Sequence, residues 1–299
     1  MEVKLVFLPH RVEFLNLLKE EINGYNTLVL EEPYNIFLDR YLRGVISLEE
    51  YVSLSDTNFP LYTFYQAKLL KNLHAQGLKI LQIEPYLEII EKIHTSIKTG
   101  KFGEYTSNPE VRNVLNVERE VVGKLIEYQE ALMKGDFDDI VNKVIEFTKR
   151  DSERFRLRDY MRAIEISKLE EDGKFVVEAG YMHVLLPIFL RDLNVKLETV
   201  NLLEKACRML NVEYLENPGD LLAKAYMLRQ DLDDSDRLLA AQSLIYVSMI
   251  SKEEKLPSPD TPYPHLIEET AVSKKVRAMS YEECKREFTR ILKKINLRL

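Results

Sequence analysis

Short apolar segments that end beside a histidine or a glutamate constrain the fold of this chain more than any other feature. Apolar runs of roughly four to eight residues, bounded by turn residues, are typical of buried β-strands. Longer segments in which apolar residues recur at helical spacing separate them. The segments that predict strands are Val3–Leu8, Thr27–Leu30, Gly77–Ile83, Phe175–Val177 and Val195–Val200.

This alternation of strands and helices predicts an α/β fold, with a mostly parallel sheet of about five or more strands flanked by helices. Between the first two strands, Phe14–Ile22 has a helical apolar pattern, and Asn23-Gly24 supplies a C-cap signal. The last of the segments, Val195–Val200, alternates apolar and polar residues. That alternation indicates a half-exposed strand at one edge of the sheet.

Two long stretches carry helical patterns without any strand signal. The first, at about 86–150, predicts a helical insertion within an α/β core of residues 1–200. The second predicts a helical C-terminal region, 201–299, which packs on the core or extends it. Its last helix opens at Ser280-Tyr281-Glu282-Glu283, where a serine and a glutamate have the spacing of a capping box.

Composition excludes several functional classes. A chain of 299 residues with 45% apolar residues can bury a large core. The net charge of −7 and the pI near 5.5 argue against general nucleic-acid binding, which needs a basic surface. No apolar run reaches the roughly 18 residues of a membrane span, and the N-terminus resembles a first strand rather than a signal peptide. Because Cys207 and Cys284 have no metal or redox spacing, we expect a cytoplasmic protein.

The polar residues that follow the predicted strands are the candidates for a functional site. If the strands are parallel, these residues lie along one edge of the sheet, where open α/β sheets place their ligands. Histidines and carboxylates together are donors for a divalent metal such as zinc, manganese, cobalt or iron. Without a metal, the same groups supply a general base and a carboxylate that orients it. The candidates are His10, Glu31, Glu32, Glu84 and His183.

Structural roles compete with functional ones at several of these positions. Either histidine alone is more often a hydrogen-bonded structural residue, and Glu32 and Glu84 each precede a proline and so fit the start of a helix. Glu178 ranks below Glu31, because it fits a strand residue that points into the sheet edge. The remaining histidines have no predicted role: His74, His94 and His265.

A charged helix precedes the fourth strand. Asp151–Leu169 predicts this helix, separate from one that begins at Ile140–Phe147. Its arginines fit a solvated face paired with nearby carboxylates. Alternatively, one of them turns inward to hold a carboxylate or a phosphate.

These residues resemble the TraB/TIKI superfamily, which groups pheromone-shutdown proteins and Wnt-cleaving TIKI proteases with erythromycin esterases and ChaN-like haem-uptake proteins. Gly180-Tyr181-Met182-His183 fits the second Gly-x-x-His motif of that superfamily, and Val195–Val200 follows at the familiar interval. Glu31-Glu32 resembles its acidic pair, and Arg158-Asp159-Tyr160-Met161 its helix motif. In Phe7-Leu8-Pro9-His10 the first-motif histidine is kept, but phenylalanine stands where the superfamily has glycine.

The resemblance implies an α/β hydrolase that acts on a small ester or a peptide bond, with metal dependence in the TIKI branch. His10 and His183 would then be metal ligands or general bases. Glu31 would bind the metal or activate water. Glu32 would be a further ligand, with Glu84 as an additional candidate, and Arg158 would hold the substrate or Glu31. The alternatives are a non-catalytic binding protein for a metal, haem or an anionic ligand, and a protein-interaction module. We expect a small-molecule or peptide substrate and no nucleic-acid or membrane partner.

Overall fold

The computed structural model describes residues 1–55, 57–170, 172–233 and 235–296, and its strands form one parallel sheet. The strands are β1 (Glu2–Leu8), β2 (Thr27–Leu30), β3 (Lys79–Gln82), β4 (Lys174–Gly180) and β5 (Lys196–Asn201). They pair in the order β3-β2-β4-β1-β5. The predicted α/β fold is confirmed.

Helices make up most of the described chain. None of them, within the described ranges, has the length and apolar character needed to cross a membrane. A short 3-10 helix at Val12–Phe14 precedes the first α-helix. The α-helices are α1 (Leu15–Ile22), α2 (Ile36–Leu42), α3 (Leu48–Leu54), α4 (Pro60–Ala75), α5 (Pro85–Lys98), α6 (Phe102–Tyr105), α7 (Pro109–Lys134), α8 (Phe137–Ser167), α9 (Leu186–Asp192), α10 (Leu202–Leu210), α11 (Pro218–Met227), α12 (Ser235–Met249), α13 (Pro264–Arg277) and α14 (Tyr281–Asn296).

Strand β4 is central and pairs with β1 on one side and β2 on the other. Its last residue, Gly180, lies opposite Leu8 of β1, and Val177 lies opposite Val29 of β2. The carboxyl ends of these three strands are therefore neighbours, although they are far apart in the sequence. Strand β5 forms the edge beside β1, as its alternating pattern predicts.

The pleat of β4 directs alternate side chains to opposite faces of the sheet. Val177 and Ala179 belong to an apolar cluster that includes Ile166 of α8 and Leu190 of α9. Glu178 lies between them in the sequence and so points to the other face. There it accepts a hydrogen bond from Gln66 of α4. The strand thus packs a core on one face and presents a carboxyl group on the other.

The described chain divides into two compact units, each built from separate stretches of sequence. The first contains the sheet, and the second has its own core, in which Val141, Leu222, Ile245 and Phe288 pack together. The sequence-based boundary at residue 200 differs from this division, because helices from both predicted helical regions share that core. The first unit comprises Met1–Glu91, Arg158–Glu213 and Lys252–Leu266, and the second comprises Lys92–Leu157, Tyr214–Ser251 and the described part of Ile267–Leu299.

The structure corrects the predicted bounds of one helix, α8, and confirms one predicted helix end and one predicted helix start. The segment expected to form two helices is one continuous helix, because it contains neither glycine nor proline to end it. After α1, Gly24 has a φ of 85°, which suits the predicted C-cap. At the start of α14, the N–H of Ser280 donates to Glu283 Oε2 at 2.8 Å, as in a capping box.

Two buried or half-buried glutamates hold Lys252–Leu266 to other parts of the sheet unit. Glu254 accepts hydrogen bonds from the N–H groups of Leu61 and Tyr62, both at 2.9 Å, and so caps the first turn of α4. Glu13 accepts from the N–H of His265 at 3.1 Å and from its Nδ1 at 2.9 Å. His265, which has no predicted role, therefore has a structural one.

We expect Glu254→Ala to lower the free energy of unfolding by about 1–2 kcal/mol, because two N–H groups of α4 lose their shared acceptor. Chemical denaturation monitored by circular dichroism measures this change. Asp260→Ala is the matched control, since Asp260 is an exposed carboxylate on the same segment. Equal stability of the two variants would contradict the capping role.

Candidate active site

Three predicted site residues converge on the space beside Gly180, at the end of β4. A methyl group placed on Gly180 would lie 3.4 Å from Glu31 Oε2, 3.5 Å from His183 Cδ2 and 4.0 Å from His10 Cε1. The carboxyl ends of β1, β2 and β4 position these groups. Glycine at this position leaves the space between them open.

Glu31 is the centre of this group of side chains. Its Oε2 accepts a hydrogen bond from the N–H of Gly180 at 2.5 Å, and its Oε1 lies 2.7 Å from His183 Nε2. Arg158 Nη2 donates to Oε1 at 3.3 Å, and Arg162 Nη1 lies 3.7 Å from Oε2. Burial alone would raise the pKa of Glu31, but the charges of His183 and the two arginines hold it well below its usual value. Glu31 is therefore a carboxylate.

His183 is held between two carboxylates. Its Nε2 meets Glu31, and its Nδ1 meets Asp159, which is fully buried and also accepts the N–H groups of Leu185 and Leu186 at 3.1 and 3.0 Å. Burial opposes a charged ring, but the two carboxylates raise the pKa of His183 to about 9. At neutral pH both nitrogens are protonated donors. His183 is therefore not placed as the general base or metal ligand that the sequence suggested.

His10 has the opposite electrostatic environment. Burial lowers the pKa of His10 below 6.5, and the positive charges of His183, Arg162 and Arg158 add to this, although Glu31 opposes them. Its ring centroid lies 5.4 Å from that of Tyr62, and it makes no hydrogen bond with any described residue. His10 is a neutral imidazole with its nitrogens available to a ligand or water.

The arginines of α8 divide between the two predicted alternatives, a solvated face and an inward-facing arginine that holds a carboxylate. Arg150 and Arg154 pair with carboxylates near the surface, as predicted. One turn or more further along, Arg158 lies between Glu31 and Glu84, 3.4 Å from Glu84 Oε1. Arg162 is fully buried. It donates to the carbonyl oxygen of Ile83 at 3.0 Å and, at 2.7 Å, to that of Glu178, and so joins the ends of β3 and β4.

Glu178 is a buried carboxyl group on the other side of the site. Its Oε1 accepts a hydrogen bond from Gln66 Nε2 at 3.3 Å, and Gln66 also donates to the hydroxyl of Tyr62. Its Oε2 is buried and has no hydrogen-bond partner among the described residues. Burial, and then repulsion by Glu32, raises the pKa of Glu178 to about 8. At neutral pH this group is mostly a protonated acid.

A cavity of about 560 Å³ opens beside these groups. Its described lining includes His10, Glu31, Glu178 and Tyr62, together with side chains from α2 and α3. The remaining predicted acids differ in position. Glu32 lines the cavity and accepts a hydrogen bond from Gln82 Nε2 at 3.1 Å, whereas Glu84 is fully buried behind Arg158 and does not line it.

The arrangement does not fit a metal ion. Both nitrogens of His183 are hydrogen-bonded to carboxylates, so this ring has no nitrogen left to bind a metal. The oxygens of Glu31 are already paired with Arg158 and Arg162. His10 therefore has no second histidine and no unpaired Glu31 oxygen with which to hold a metal ion. Among the described residues, no group of three or more histidine, cysteine or acidic side chains is arranged to hold a metal.

The sequence-based prediction assigned no catalytic or binding role to five residues that line or support the site: Asp159, Arg162, Glu178, Tyr62 and Gln66. A signal existed for Glu178, because an acid within a buried parallel strand needs a partner or a ligand. A signal also existed on α8, since Arg158 and Asp159 precede Arg162 by four and three residues, the spacings of neighbours on a helix surface. Tyr62 and Gln66 are one turn apart on α4, and that pattern is common in helices without function.

Comparison with known proteins gives a relative without a described activity. The chain is 37% identical, over 288 residues, to an "Uncharacterized protein" of Archaeoglobus fulgidus, an alignment that covers 96% of this chain and 98% of that protein. No protein-family model matches the chain. No solved structure matches it either.

His183→Gln should remove a pH dependence of stability. Because its folded-state pKa of about 9 lies above 6.5, protonated His183 stabilises the fold fully below pH 6.5, and this is lost as the pH rises through about 9. The loss is at most about 3 kcal/mol. The raised pKa of Glu178 also makes the free energy of unfolding fall as the pH rises, but only up to about pH 8.

Urea denaturation at pH 6, 8 and 9.5 measures the effect. The wild-type free energy of unfolding should fall across this range more steeply than that of His183→Gln. The exposed His94, changed to glutamine, provides the control and should keep the wild-type slope. Parallel profiles for wild type and His183→Gln would show that His183 is not charged in the folded protein.

Proposed function

This chain belongs to the same protein family as the Archaeoglobus fulgidus protein, and we propose that it is a hydrolase of small ester or peptide bonds that works without a metal. The observation that carries the proposal is the pair of opposed protonation states in one cavity. His10 is a neutral base and Glu178 a neutral acid, and both line the same 560 Å³ space. Neighbouring titratable groups whose pKa values are shifted in opposite directions are typical of acid–base catalysis.

His10 is the proposed general base. Its pKa lies below 6.5, so it is unprotonated at neutral pH, and its nitrogens have no described protein partner. The imidazolium of His183 and the carboxylate of Glu31 lie near it, beside Gly180. His183 and Glu31 take no proton from the substrate in this scheme. The charge of His183 helps to keep His10 neutral, and Glu31 helps to keep His183 charged.

Tyr62 and Glu178 are the proposed donors to the reacting bond. Burial and the neighbouring glutamates raise the pKa of Tyr62 well above 10, so it stays a phenol. Because its oxygen accepts the hydrogen bond from Gln66, its own proton is available to the carbonyl oxygen of a substrate. Glu178, protonated below about pH 8, can donate its proton to the leaving group.

The proposed reaction consumes one water. His10 removes a proton from the water as its oxygen bonds to the carbonyl carbon, and Tyr62 stabilises the negative oxygen that results. The carbon–oxygen or carbon–nitrogen bond then breaks, and Glu178 gives its proton to the departing alcohol or amine. The proton on His10 returns to Glu178 through solvent, so that both groups regain their starting states.

The alternative of an anion-binding protein has less support. The described lining of the cavity contains glutamates and no lysine or arginine, which disfavours a negative ligand. Membership of the TraB/TIKI superfamily stays a prediction, supported by the convergence of His10, Glu31 and His183 beside Gly180. We also propose a reducing, cytoplasmic setting, because Cys207 and Cys284 are both free and buried.

The activity should have a bell-shaped pH profile. It should decline as the pH falls through a value below 6.5, where His10 becomes protonated, and decline again as the pH rises through about 8, where Glu178 ionises. The value of kcat/KM on a panel of p-nitrophenyl esters and chromogenic dipeptides measures this profile. A rate that keeps rising above pH 9 would contradict the role of Glu178.

His10→Ala should reduce kcat by roughly a hundred- to ten-thousand-fold. Glu178→Gln should reduce the rate on substrates with poor leaving groups more than on p-nitrophenyl esters, because good leaving groups need no proton. His94→Ala, an exposed histidine remote in sequence from the strand ends, is the control. Equal activity of wild type and His10→Ala would overturn the proposed function.

Removal of metal should leave the activity unchanged. We expect protein dialysed against EDTA to keep its wild-type kcat/KM, and added zinc, manganese or cobalt not to increase it, since no step uses a metal. Elemental analysis before and after dialysis verifies the removal. Loss of activity that one of these metals restores would support the metal-dependent alternative instead.

A further inference from the structure

The wall of the cavity contains a glutamate that has no ion-pair partner among the described residues. The described lining includes no lysine or arginine, and the unpaired glutamate is Glu32. Its one hydrogen bond comes from the neutral amide of Gln82, and no cation of the described chain lies within ion-pair distance of it.

The inner network next to Glu32 does not supply the missing positive charge. Three carboxylates, those of Glu31, Glu84 and Asp159, meet three cations, those of Arg158, Arg162 and His183. The charges of this network therefore sum to zero, and its arginines do not line the cavity. Burial and repulsion from Glu31 raise the pKa of Glu32, as expected for a carboxylate without a partner.

Aromatic rings line the same cavity and suit a positive ligand. The described lining includes Tyr34, Phe37, Tyr51, Phe59 and Tyr62. One ring already contacts a cation, since the Arg11 guanidinium lies 5.2 Å from the ring centroid of Phe59. Aromatic faces attract organic cations through the negative potential of the ring.

A second feature points to a ligand in this space. Glu178 is 1% exposed, and its Oε2 has no hydrogen-bond partner among the described residues. A buried oxygen of this kind costs free energy unless a ligand or a water meets it. The groups available to a ligand in the cavity are therefore the Glu32 carboxylate, the Glu178 carboxyl oxygen and the aromatic faces.

We propose that the cavity binds substrates that carry an organic cation, an ammonium or a guanidinium group, and that Glu32 is the residue that selects them. The inference rests on the proposed function for the claim that the ligand is a hydrolysable ester or amide. Glu32 pairs with the cation, and the aromatic rings pack against its alkyl groups. The bond to be cleaved lies deeper, beside His10 and Glu178.

Binding of matched cationic and neutral probes tests the proposal without requiring catalysis. Calorimetric titration compares choline with its neutral isostere 3,3-dimethylbutanol, and butylguanidinium with butylurea. At least one cation should bind about tenfold more tightly than its isostere, and added salt should reduce the difference. The stronger of the two pairs identifies the group as ammonium or guanidinium.

Glu32→Gln should reduce that preference to about threefold or less, because it removes the charge and keeps the shape of the side chain. Glu213→Gln, an exposed glutamate away from the cavity, should retain the wild-type preference. Thermal unfolding checks that both variants are folded. Equal binding of cations and isosteres by the wild type would overturn the proposal, as would an unchanged preference in Glu32→Gln.

Hydrolysis of acetylcholine and of 3,3-dimethylbutyl acetate separates this inference from the proposed function. A higher kcat/KM for the cationic ester supports both. Selective binding of cations without hydrolysis of any ester or amide would overturn the hydrolase and leave the cation site in place. Hydrolysis of both esters at equal kcat/KM, with equal probe binding, would overturn the cation site and leave the hydrolase.

Discussion

Glu31 lies where β1, β4 and β2 end, and its two oxygens meet a backbone N–H, an imidazolium and two guanidinium groups. A carboxylate buried in this way is stable only because the surrounding charges compensate for its lost hydration. The other ionised groups of the site depend on it in turn. His183 is charged because Glu31 and Asp159 face its two nitrogens. His10 is neutral because it is buried, and the positive charges of His183, Arg162 and Arg158 add to this effect.

This dependence explains why α8 has two different surfaces along its length. Its earlier arginines pair with acids in the same or a neighbouring turn, where water screens the charges and the pairs contribute little to stability. Arg158 and Arg162 instead enter the buried network, and Arg162 also joins two strand ends through their carbonyl oxygens. The helix therefore positions the edge of the sheet as well as covering its core.

The cavity combines an inner region of balanced charge with a wall in which Glu32 has no cation partner among the described residues. The inner region sets protonation states, with His10 as a neutral base and Glu178 as a neutral acid. In our proposal the wall, which includes Glu32 and several aromatic rings, selects the molecules that bind. Chemistry and selectivity are thus assigned to different residues of the same space, and each can be changed separately by mutation.

The sequence by itself determined the α/β fold, the parallel sheet and the edge on which His10, Glu31 and His183 meet. It could do so because strand and helix patterns are local, and because parallel strands bring their carboxyl ends to one edge. Only the tertiary structure decided which histidine is neutral, that Arg162 is buried beside Arg158, and that Glu178 and Tyr62 line the cavity. Protonation and pairing depend on neighbours from distant parts of the chain, such as Asp159 beside His183 and Gln66 beside Glu178, and no local pattern specifies those neighbours.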